Sequence, residues 1–258
     1  MRRRLLLTVL VPLLLLAAGA PARAADPVVA PLPVGTHVDY QLGGARDVPA
    51  TVGIVVRDRK ARPLAGRYGV CYVNAFQTQP DEAAYWRRHP GLVLRSGGRP
   101  VEDSAWGEWL LDLRTPAKRA ALADVVGTWT RLCAERGYAA VEFDNLDSFT
   151  RSHGLLTPSQ TIAYARVIVA QAHAVGLAVG QKNLATWDGR RVGFDFAIAE
   201  ECGRYRECVD YVRHYGRRVL AIEYRLADFR WTCAHYSRGL PVVLRDLELT
   251  PRGVHRWC

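Results

Sequence analysis

Lysine is scarce in this sequence: only three of its 35 lysine and arginine residues are lysines. The chain also has no glycine period and no sustained heptad repeat, which excludes collagen and coiled-coil proteins. Its hydrophobic content of 49% is too high for a mainly disordered chain, which would lack the apolar residues to form a core. The 258 residues therefore suit one large globular domain or two small ones.

Sequence motifs of several chemistries are missing as well. There is no CxxC or HxxxH spacing, so a zinc site is not expected, and there is no Walker motif. The lack of a GxSxG motif gives little support to a serine esterase, and the lack of a glycine-rich turn after the first predicted strand disfavours a dinucleotide-binding fold. The arginines are scattered rather than arranged in a basic stripe with interleaved aromatic residues. We therefore predict no metal, no cofactor and no nucleic-acid partner.

Residues 1–24 have the features of a secretory signal peptide. Three arginines at positions 2–4 are followed by an apolar run over residues 5–20, and Ala22 and Ala24 supply the small residues expected at a cleavage site. The alternative is an uncleaved membrane anchor, but the run is short for a span of about 20 apolar residues. No later stretch is long and apolar enough to span a membrane. The sequence therefore predicts a secreted protein without membrane association after cleavage.

The rest of the chain shows no linker and no internal repeat. Residues 25–33 are rich in proline and alanine and are predicted to form a flexible lead-in, and residues 34–258 are predicted to form one domain. The leader holds four arginines, so its removal would change the formal charge from +10 to +6. The sequence does not indicate an oligomeric state.

The cysteine count is even after the leader, and export to an oxidising compartment suggests up to three disulfides. The six are Cys71, Cys133, Cys202, Cys208, Cys233 and Cys258. Six cysteines allow about 15 pairings, which the sequence alone does not resolve. Cys202 and Cys208 are close enough to close a small loop and form the pair we favour most. Cys233 with Cys258 could tie down the C-terminus, which leaves Cys71 with Cys133.

Short apolar runs that end in polar residues alternate with amphipathic helical stretches. The predicted strands span residues 37–42, 53–56, 68–74, 139–144, 177–183, 194–200, 219–224 and 242–246. The predicted helices span residues 115–136, 157–175, 208–215 and 227–237. This alternation predicts an α/β fold with a single (β/α)8 TIM-type barrel, although an open doubly wound sheet has the same order. Residues 110–113 are left out as a ninth strand because Thr115 and Pro116 begin a helix directly after them.

Polar side chains gather where the predicted strands end, which is where barrel enzymes carry their catalytic groups. A single carboxylate at such a position is more often a helix cap or an ion-pair partner, but many strands ending this way indicate a site. The candidates are Asp39, Tyr40, Tyr72, Asn74, Asp144, Asn145, Asp147, Lys182, Asn183, Glu200, Glu201, Glu223, Tyr224 and Asp246.

Strand alternation predicts which of these side chains face the barrel interior. Glu142 and Asp144 share one face of the fourth strand. Lys182 lies on the same face of the fifth strand as that strand's small residues, and Glu223 lies on the same face of the seventh strand as a small residue. Both are therefore predicted to face inward. Lys182 has two interpretations, a structural ion pair with Glu142 or a direct contact with substrate.

The sixth strand gives a conflicting pattern. Its small residues Ala197 and Ala199 share parity with Glu201, so strict alternation predicts that Glu201 faces inward. Glu200 shares parity with the large residues before it. A bulge at the strand end would reverse this orientation. The choice between Glu200 and Glu201 stays open at this point.

Two carboxylates that face each other across a pocket suit glycosidic bond cleavage. One acid protonates the leaving oxygen, and the other attacks the anomeric carbon or activates water. A nearby cation such as Lys182 would help to keep one of the two ionised. Aromatic residues that could stack on sugar faces, if they are not part of the core, are Tyr40, Tyr72, Trp106, Trp109, Trp187 and Tyr224.

The segment Val-Glu-Phe-Asp-Asn-Leu-Asp at residues 141–147 resembles the EPDNxD signature of glycoside hydrolase family 114, the endo-α-1,4-polygalactosaminidases. Phe143 stands at the proline position of that signature. Further similar segments follow the family's order over nearly the whole chain after the leader. They are DYQL at 39–42, CYV at 71–73, EWLLD at 108–112, GL to KN at 176–183, EEC to EC at 200–208, and EY at 223–224.

The resemblance implies a TIM-type barrel that hydrolyses α-1,4-linked galactosamine polymers. It implies that Asp144 and Glu200 form the catalytic pair, with Asp144 as nucleophile or base and Glu200 as acid. The other candidate residues are then expected to bind a polysaccharide substrate. The resemblance also supports the Cys202–Cys208 bridge. Two alternatives remain, a barrel that binds carbohydrate without cleaving it and a glycosidase that acts on a neutral α-galactoside.

Overall fold

A parallel sheet that curves into a nearly closed barrel forms the centre of the computed structural model, which describes residues 27–258. The strands follow one another in chain order around the sheet. They are β1 His37–Gln41, β2 Val52–Asp58, β3 Tyr68–Asn74, β4 Ala140–Asp144, β5 Ala178–Lys182, β6 Phe196–Glu200, β7 Val219–Glu223, β8 Val242–Arg245 and β9 His255–Trp257. The eight predicted strands and the predicted TIM-type barrel are confirmed. The predicted signal peptide, residues 1–24, lies outside the described residues.

The ninth strand lies at the end of the sheet, beside β8, and sequence reasoning missed it. β9 pairs antiparallel with β8, whereas the pairs from β1 to β8 are parallel. The Trp257 indole donates to the carbonyl of Val38 in β1 over 2.7 Å. Buried Asp39 lies 3.4 Å from Nη1 of Arg245 and 3.2 Å from Nδ1 of His255. These contacts join the first strand to the last two. β9 has only three residues and little apolar periodicity, so it carries no strand signal in the sequence.

Helices cover the outside of the barrel. They are α1 Ala83–Arg87, α2 Pro116–Glu135, α3 Pro158–His173, α4 Cys202–Tyr205, α5 Cys208–Tyr215 and α6 Leu226–Tyr236. The four predicted helices are confirmed as α2, α3, α5 and α6, and the short helices α1 and α4 are additional. Residues 42–51 and 59–67 connect the first three strands without a helix. Within residues 27–258, no helix is both long and apolar enough to cross a bilayer.

The starts of the two longest helices follow from local sequence. Thr115 precedes α2, and its side chain accepts a hydrogen bond from the backbone amide of Lys118. Thr157 forms a reciprocal capping box with Gln160 at the start of α3. In both helices a proline occupies the first turn, where no intrahelical donor is needed.

Two hairpins, each with strands of two residues, lie between β3 and α2. They pair Arg95–Ser96 with Arg99–Pro100 and Glu102–Asp103 with Glu108–Trp109. Leu110 and Leu111 form only isolated bridges beyond the second hairpin, so residues 110–113 are not part of the barrel sheet. The second hairpin stands at the C-terminal end of the barrel and forms a wall there.

All six cysteines form disulfides, in the pairing that sequence reasoning favoured. Cys71–Cys133 joins β3 to α2, Cys202–Cys208 closes the loop after β6, and Cys233–Cys258 joins α6 to the C-terminal residue. A bridge that closes a loop restricts the unfolded chain, which stabilises the folded state by about 2–4 kcal/mol.

The described part of the lead-in packs against the barrel. Residues 27–33 have no helix or strand, but Leu32 is buried in the cluster that fills the barrel interior. The Tyr68 hydroxyl donates to the carbonyl of Ala30 over 2.8 Å.

Gly180 in β5 creates the room that large residues of β6 occupy inside the barrel. Phe196 and Ile198 belong to the interior cluster together with Ala140 and Ala178 of the preceding strands. A Cβ atom at Gly180 would lie 2.4 Å from Cδ1 of Ile198 and 2.7 Å from Cε2 of Phe196. The missing side chain of one strand therefore leaves space for the large inward-facing residues of the next strand.

We expect Gly180→Ala to lower the free energy of unfolding by about 1–3 kcal/mol, because the added methyl group overpacks the interior. Denaturant unfolding measures this change. Gly91→Ala is the matched control, because a Cβ atom there would have no heavy atom within 4 Å. Equal stability of the two variants would contradict the packing argument.

Candidate active site

A cavity of about 430 Å³ opens at the C-terminal ends of the barrel strands, and we call it the main cavity. It is lined in part by the hairpin wall and by the loop after β8. The predicted site residues that line it are Tyr72, Asp144, Asn145, Lys182, Asn183, Glu200 and Tyr224. The structure therefore brings together residues that are far apart in sequence and come from five successive strands of the barrel.

Lys182 lies at the bottom of this cavity, and its side chain is surrounded by carboxylates. Its Nζ atom lies 3.0 Å from Oε2 of Glu200, 3.2 Å from Oε1 of Glu142 and 3.4 Å from Oδ2 of Asp144. The residue is only 1% exposed. Burial by itself would lower the pKa of Lys182, but the three carboxylates outweigh it and raise that pKa well above its usual value. Lys182 thus pairs with Glu142 and also borders the cavity.

Each of these three carboxylates also accepts a hydrogen bond from a tyrosine. Tyr40 donates to Glu142 over 2.6 Å, and Tyr72 donates to Asp144 over 2.8 Å. Tyr224 donates to Glu200. Burial and the neighbouring carboxylates raise the pKa of all three tyrosines, which keeps them protonated as donors. One lysine and three hydroxyl groups together stabilise the negative charge.

Glu142 lies beneath the cavity rather than in its wall. It is fully buried and contacts Tyr40 and Lys182. Burial raises its pKa to about 7, although the ammonium of Lys182 opposes this shift. Its position suits a structural counter-ion of Lys182.

Glu200, not Glu201, faces the barrel interior, so the premise that the small residues of this strand face inward, which favoured Glu201, is wrong. The pairing of β6 with both neighbours runs without a bulge. Ala197 and Ala199 point outward into the layer between barrel and helices, while the large residues before Glu200 point inward. Small residues suit the outer face here because α5 packs against it. Glu201 adopts a left-handed backbone (φ 55°) and pairs with Arg204 over 2.8 Å.

The predicted inward orientation of Glu223 is also wrong. Ala221 of the same strand belongs to the outer layer, and the inward position falls to Tyr224. Oε1 of Glu223 accepts hydrogen bonds from the amide of Gly203 over 2.7 Å and from the hydroxyl of Thr232 over 2.9 Å. Glu223 therefore holds α4, which directly follows β6, against α6. Burial raises its pKa to about 7.

Four further predicted residues do not line the main cavity. Asp39 is buried at the closure of the barrel, and Tyr40 lies beneath Lys182. Asn74 is buried beside Asn145, to which it is hydrogen-bonded over 3.0 Å. Asp246 accepts from the amide of Thr250 and holds the loop after β8.

A second cavity of about 500 Å³ adjoins the first, and we call it the side cavity. Glu200 and Tyr224 line both cavities, as does Trp106, which is 52% exposed on the hairpin wall. The predicted residues Asp147 and Glu201 line the side cavity only. Glu200 therefore lies where the two cavities meet.

Glu108 is a site residue that the candidate set omitted. It lines the main cavity from the hairpin wall, and its Oε2 atom accepts from Nδ2 of Asn74 over 2.9 Å and from Nδ2 of Asn145 over 3.4 Å. Burial raises its pKa to about 7, against the hydrogen bond from Asn74. It does not end a barrel strand, so the strand-end rule could not identify it. Its only signal in the sequence was its place in the EWLLD segment.

One group of potential metal ligands occurs within residues 27–258, formed by Cys202, Cys208 and Glu223. Both sulfur atoms are joined in a disulfide, so only the Glu223 carboxylate retains ligand capacity.

A barrel with carboxylates from neighbouring strands around one cavity is the architecture of many glycoside hydrolases. The model of glycoside hydrolase family GH114 matches residues 18–258 of this chain. The chain belongs to this family and is a glycoside hydrolase. A comparison with curated proteins finds no match.

Solved structures show the same fold. The crystal structure of Aspergillus fumigatus Ega3 in complex with galactosamine is 20% identical, with a TM-score of 0.70 over 90% of this chain and 97% of that one. The glycoside hydrolase domain of PelA from Pseudomonas aeruginosa is 18% identical, with a TM-score of 0.56 over 84% of this chain and 97% of that one. At this level of identity the similarity concerns the fold.

We expect the buried carboxyl group of Glu223 to make stability depend on pH. Its raised pKa means that the unfolded chain releases this proton first, so stability falls as pH rises from about 4.5 to about 7. The side chain of the Glu223→Gln variant cannot ionise. Its free energy of unfolding should therefore fall by up to about 3 kcal/mol less than that of the wild type over that pH range. Denaturant unfolding of both proteins at several pH values measures the difference. Parallel pH profiles would contradict the assignment.

Proposed function

We propose that this protein is a secreted, endo-acting hydrolase of α-1,4-linked galactosamine-containing polysaccharide, with Asp144 and Glu200 as its catalytic pair. The observation that carries the proposal is the convergence of these two carboxylates on the Nζ atom of Lys182 at the bottom of the main cavity. Two acidic groups across one cavity suit glycosidic cleavage.

The surroundings of the two carboxylates favour different roles. Asp144 accepts hydrogen bonds from the amide of Asn145 over 2.6 Å and from Tyr72, and it lies beside Lys182. Two hydrogen-bond donors and a cation around one carboxylate suit a nucleophile. Glu200 lies at the junction of the two cavities, and its side chain is 25% exposed. That position lets it reach the oxygen of a sugar leaving through the side cavity.

The reaction would proceed in two displacements. A carboxylate oxygen of Asp144 forms a bond to the anomeric carbon as the glycosidic bond breaks, and the leaving oxygen takes the proton of Glu200. Water then attacks the anomeric carbon, gives its proton to Glu200 and releases Asp144 as a carboxylate. Lys182 stays protonated throughout and balances whichever carboxylate is charged.

The spacing of the pair supports this retaining route. Nζ of Lys182 lies 3.4 Å from an oxygen of Asp144 and 3.0 Å from an oxygen of Glu200. The distance between those two oxygens therefore cannot exceed the sum of these two distances. Retaining enzymes place their carboxyl groups about 5–5.5 Å apart, and inverting enzymes about 6.5–9.5 Å. Because both side chains contact one ammonium group, their arrangement favours the closer spacing of a retaining pair.

Substrate and mode of attack rest on the family and on the shape of the site. GH114 membership and the galactosamine bound in the structure of Ega3 support an amino-sugar polymer. Two adjoining cavities on either side of Glu200 can hold a chain that continues in both directions, which supports internal cleavage.

Secretion is supported by two independent features. The first 24 residues have the signal-peptide pattern, and three disulfides suit an oxidising compartment.

We expect Asp144→Asn and Glu200→Gln each to lower cleavage of purified galactosaminogalactan by about 10²–10⁴-fold or more, because each removes an essential nucleophile or acid. Product analysis by mass spectrometry follows the digestion, and internal cleavage should yield a range of oligosaccharides. Both variants should keep the wild-type fold by circular dichroism.

Asp210→Asn is the control for loss of one negative charge, since Asp210 pairs with Arg213 on α5, away from both cavities. It should cleave like the wild type. Full activity of either cavity variant would refute the catalytic pair. Saturable binding without hydrolysis by the wild type would favour a carbohydrate-binding protein instead.

A further inference from the structure

Glu108 stands in the main cavity in an arrangement that the catalytic pair does not explain. It belongs to the hairpin wall and lines the same cavity as Asp144 and Glu200. No step of the proposed reaction requires a third carboxylate in contact with the sugar. The contacts of Glu108 itself indicate its role.

The carboxylate of Glu108 is held by one oxygen only. Oε2 accepts from the amide groups of Asn74 and Asn145, while Oε1 has no hydrogen-bond donor among residues 27–258. Oε1 is also not a fully buried atom. Two amides thus fix the orientation of the group and leave one oxygen available to a ligand in the cavity.

Glu108 also lacks a cation, in contrast to the other acidic groups close to it. Asp144 and Glu200 share the ammonium of Lys182, and Asp103 lies 2.8 Å from Nε of Arg151. Glu108 forms no ion pair within the described part of the chain. A half-buried carboxylate without a counter-ion is favourably completed by a positively charged ligand.

The electrostatic surroundings of Glu108 agree with this. Burial raises the pKa of Glu108 to about 7, and the hydrogen bond from Asn74 opposes this shift. The negative charges of Asp144 and Asp103 raise that pKa further, whereas the positive charge of Lys182 lowers it. A cation bound at Oε1 would stabilise the ionised form. Among the sugars that a GH114 enzyme could meet, galactosamine has such a cation in its amino group, whereas N-acetylgalactosamine and galactose do not.

We propose that Glu108 binds the protonated amino group of a galactosamine unit in the main cavity and thereby selects the deacetylated polymer over its N-acetylated and neutral counterparts. This inference rests on the proposed function and names the residue that determines its substrate preference. Asn74 and Asn145 act as positioning residues that aim the carboxylate. An N-acetyl group would bring no charge to Oε1 and would add bulk against the hairpin wall.

The test compares kcat/KM on two forms of one polymer, deacetylated galactosaminogalactan and the same material after chemical N-acetylation. Glu108→Gln keeps the shape and the amide contacts but removes the charge. We expect kcat/KM on the deacetylated form to fall by about ten- to hundred-fold, mainly through a higher KM, since a charge-assisted hydrogen bond is lost. The value on the N-acetylated form should stay as in the wild type, which also shows that the variant is folded.

Glu102→Gln is the matched control, because Glu102 carries the same charge on the same hairpin but is exposed and does not line the cavity. It should keep the wild-type preference. Glu108→Asp retains the charge on a shorter side chain and should give an intermediate loss. Binding of deacetylated and N-acetylated oligosaccharides to the Asp144→Asn protein, with and without Glu108→Gln, gives a second readout that does not need turnover.

The outcomes separate the two claims. A wild type that cleaves the polymer, with Glu108→Gln keeping the preference for the deacetylated form, would overturn the role of Glu108 alone. An equal loss on both forms would also overturn it, because it would indicate a purely structural role. A wild type that cleaves neither form would overturn the proposed function and this inference with it.

Discussion

The whole site depends on one buried ammonium group. Glu142, Asp144 and Glu200 would repel one another inside the barrel, and leaving any of them without a partner would cost several kcal/mol. Nζ of Lys182 lies within 3.4 Å of all three, and a tyrosine hydroxyl donates a hydrogen bond to each carboxylate. The ammonium group and the three hydroxyl groups thus compensate negative charge at a largely buried place. The acidity at the cavity exists despite the basic overall charge of the chain.

Parallel pairing of β4, β5 and β6 creates this convergence. Their C-terminal ends lie side by side, and strand alternation puts Asp144 and Lys182 on the inner face. Gly180 leaves space for the large inward-facing residues of β6, and Glu200 lies on the same face of that strand. Glu223 works from the opposite face, where it fixes the loop after Glu200 to α6. Packing of the outer layer and chemistry at the cavity are thus linked through one strand end.

Sequence reasoning predicted what short-range patterns encode. The eight barrel strands, the capped helices and the inward position of Asp144 follow from periodicity and helix caps, and the favoured cysteine pairing is the one observed. The errors have one physical origin, because small size was taken to mean an inward position. The facing helices, not the barrel interior, require the alanines of β6. Glu108 and β9 escaped prediction because their positions depend on the hairpin wall and on barrel closure, which are tertiary features.

The proposed reaction requires that one lysine holds Asp144 and Glu200 close enough for direct attack by Asp144 on the anomeric carbon. The anomeric configuration of the first product tests this most directly, because it reports whether water or the carboxylate attacks the α-linked sugar first. Proton NMR of a fresh digest, recorded before mutarotation, distinguishes the two reducing-end anomers. We expect the α anomer as the initial product. Initial appearance of the β anomer would show inversion and contradict direct attack by Asp144.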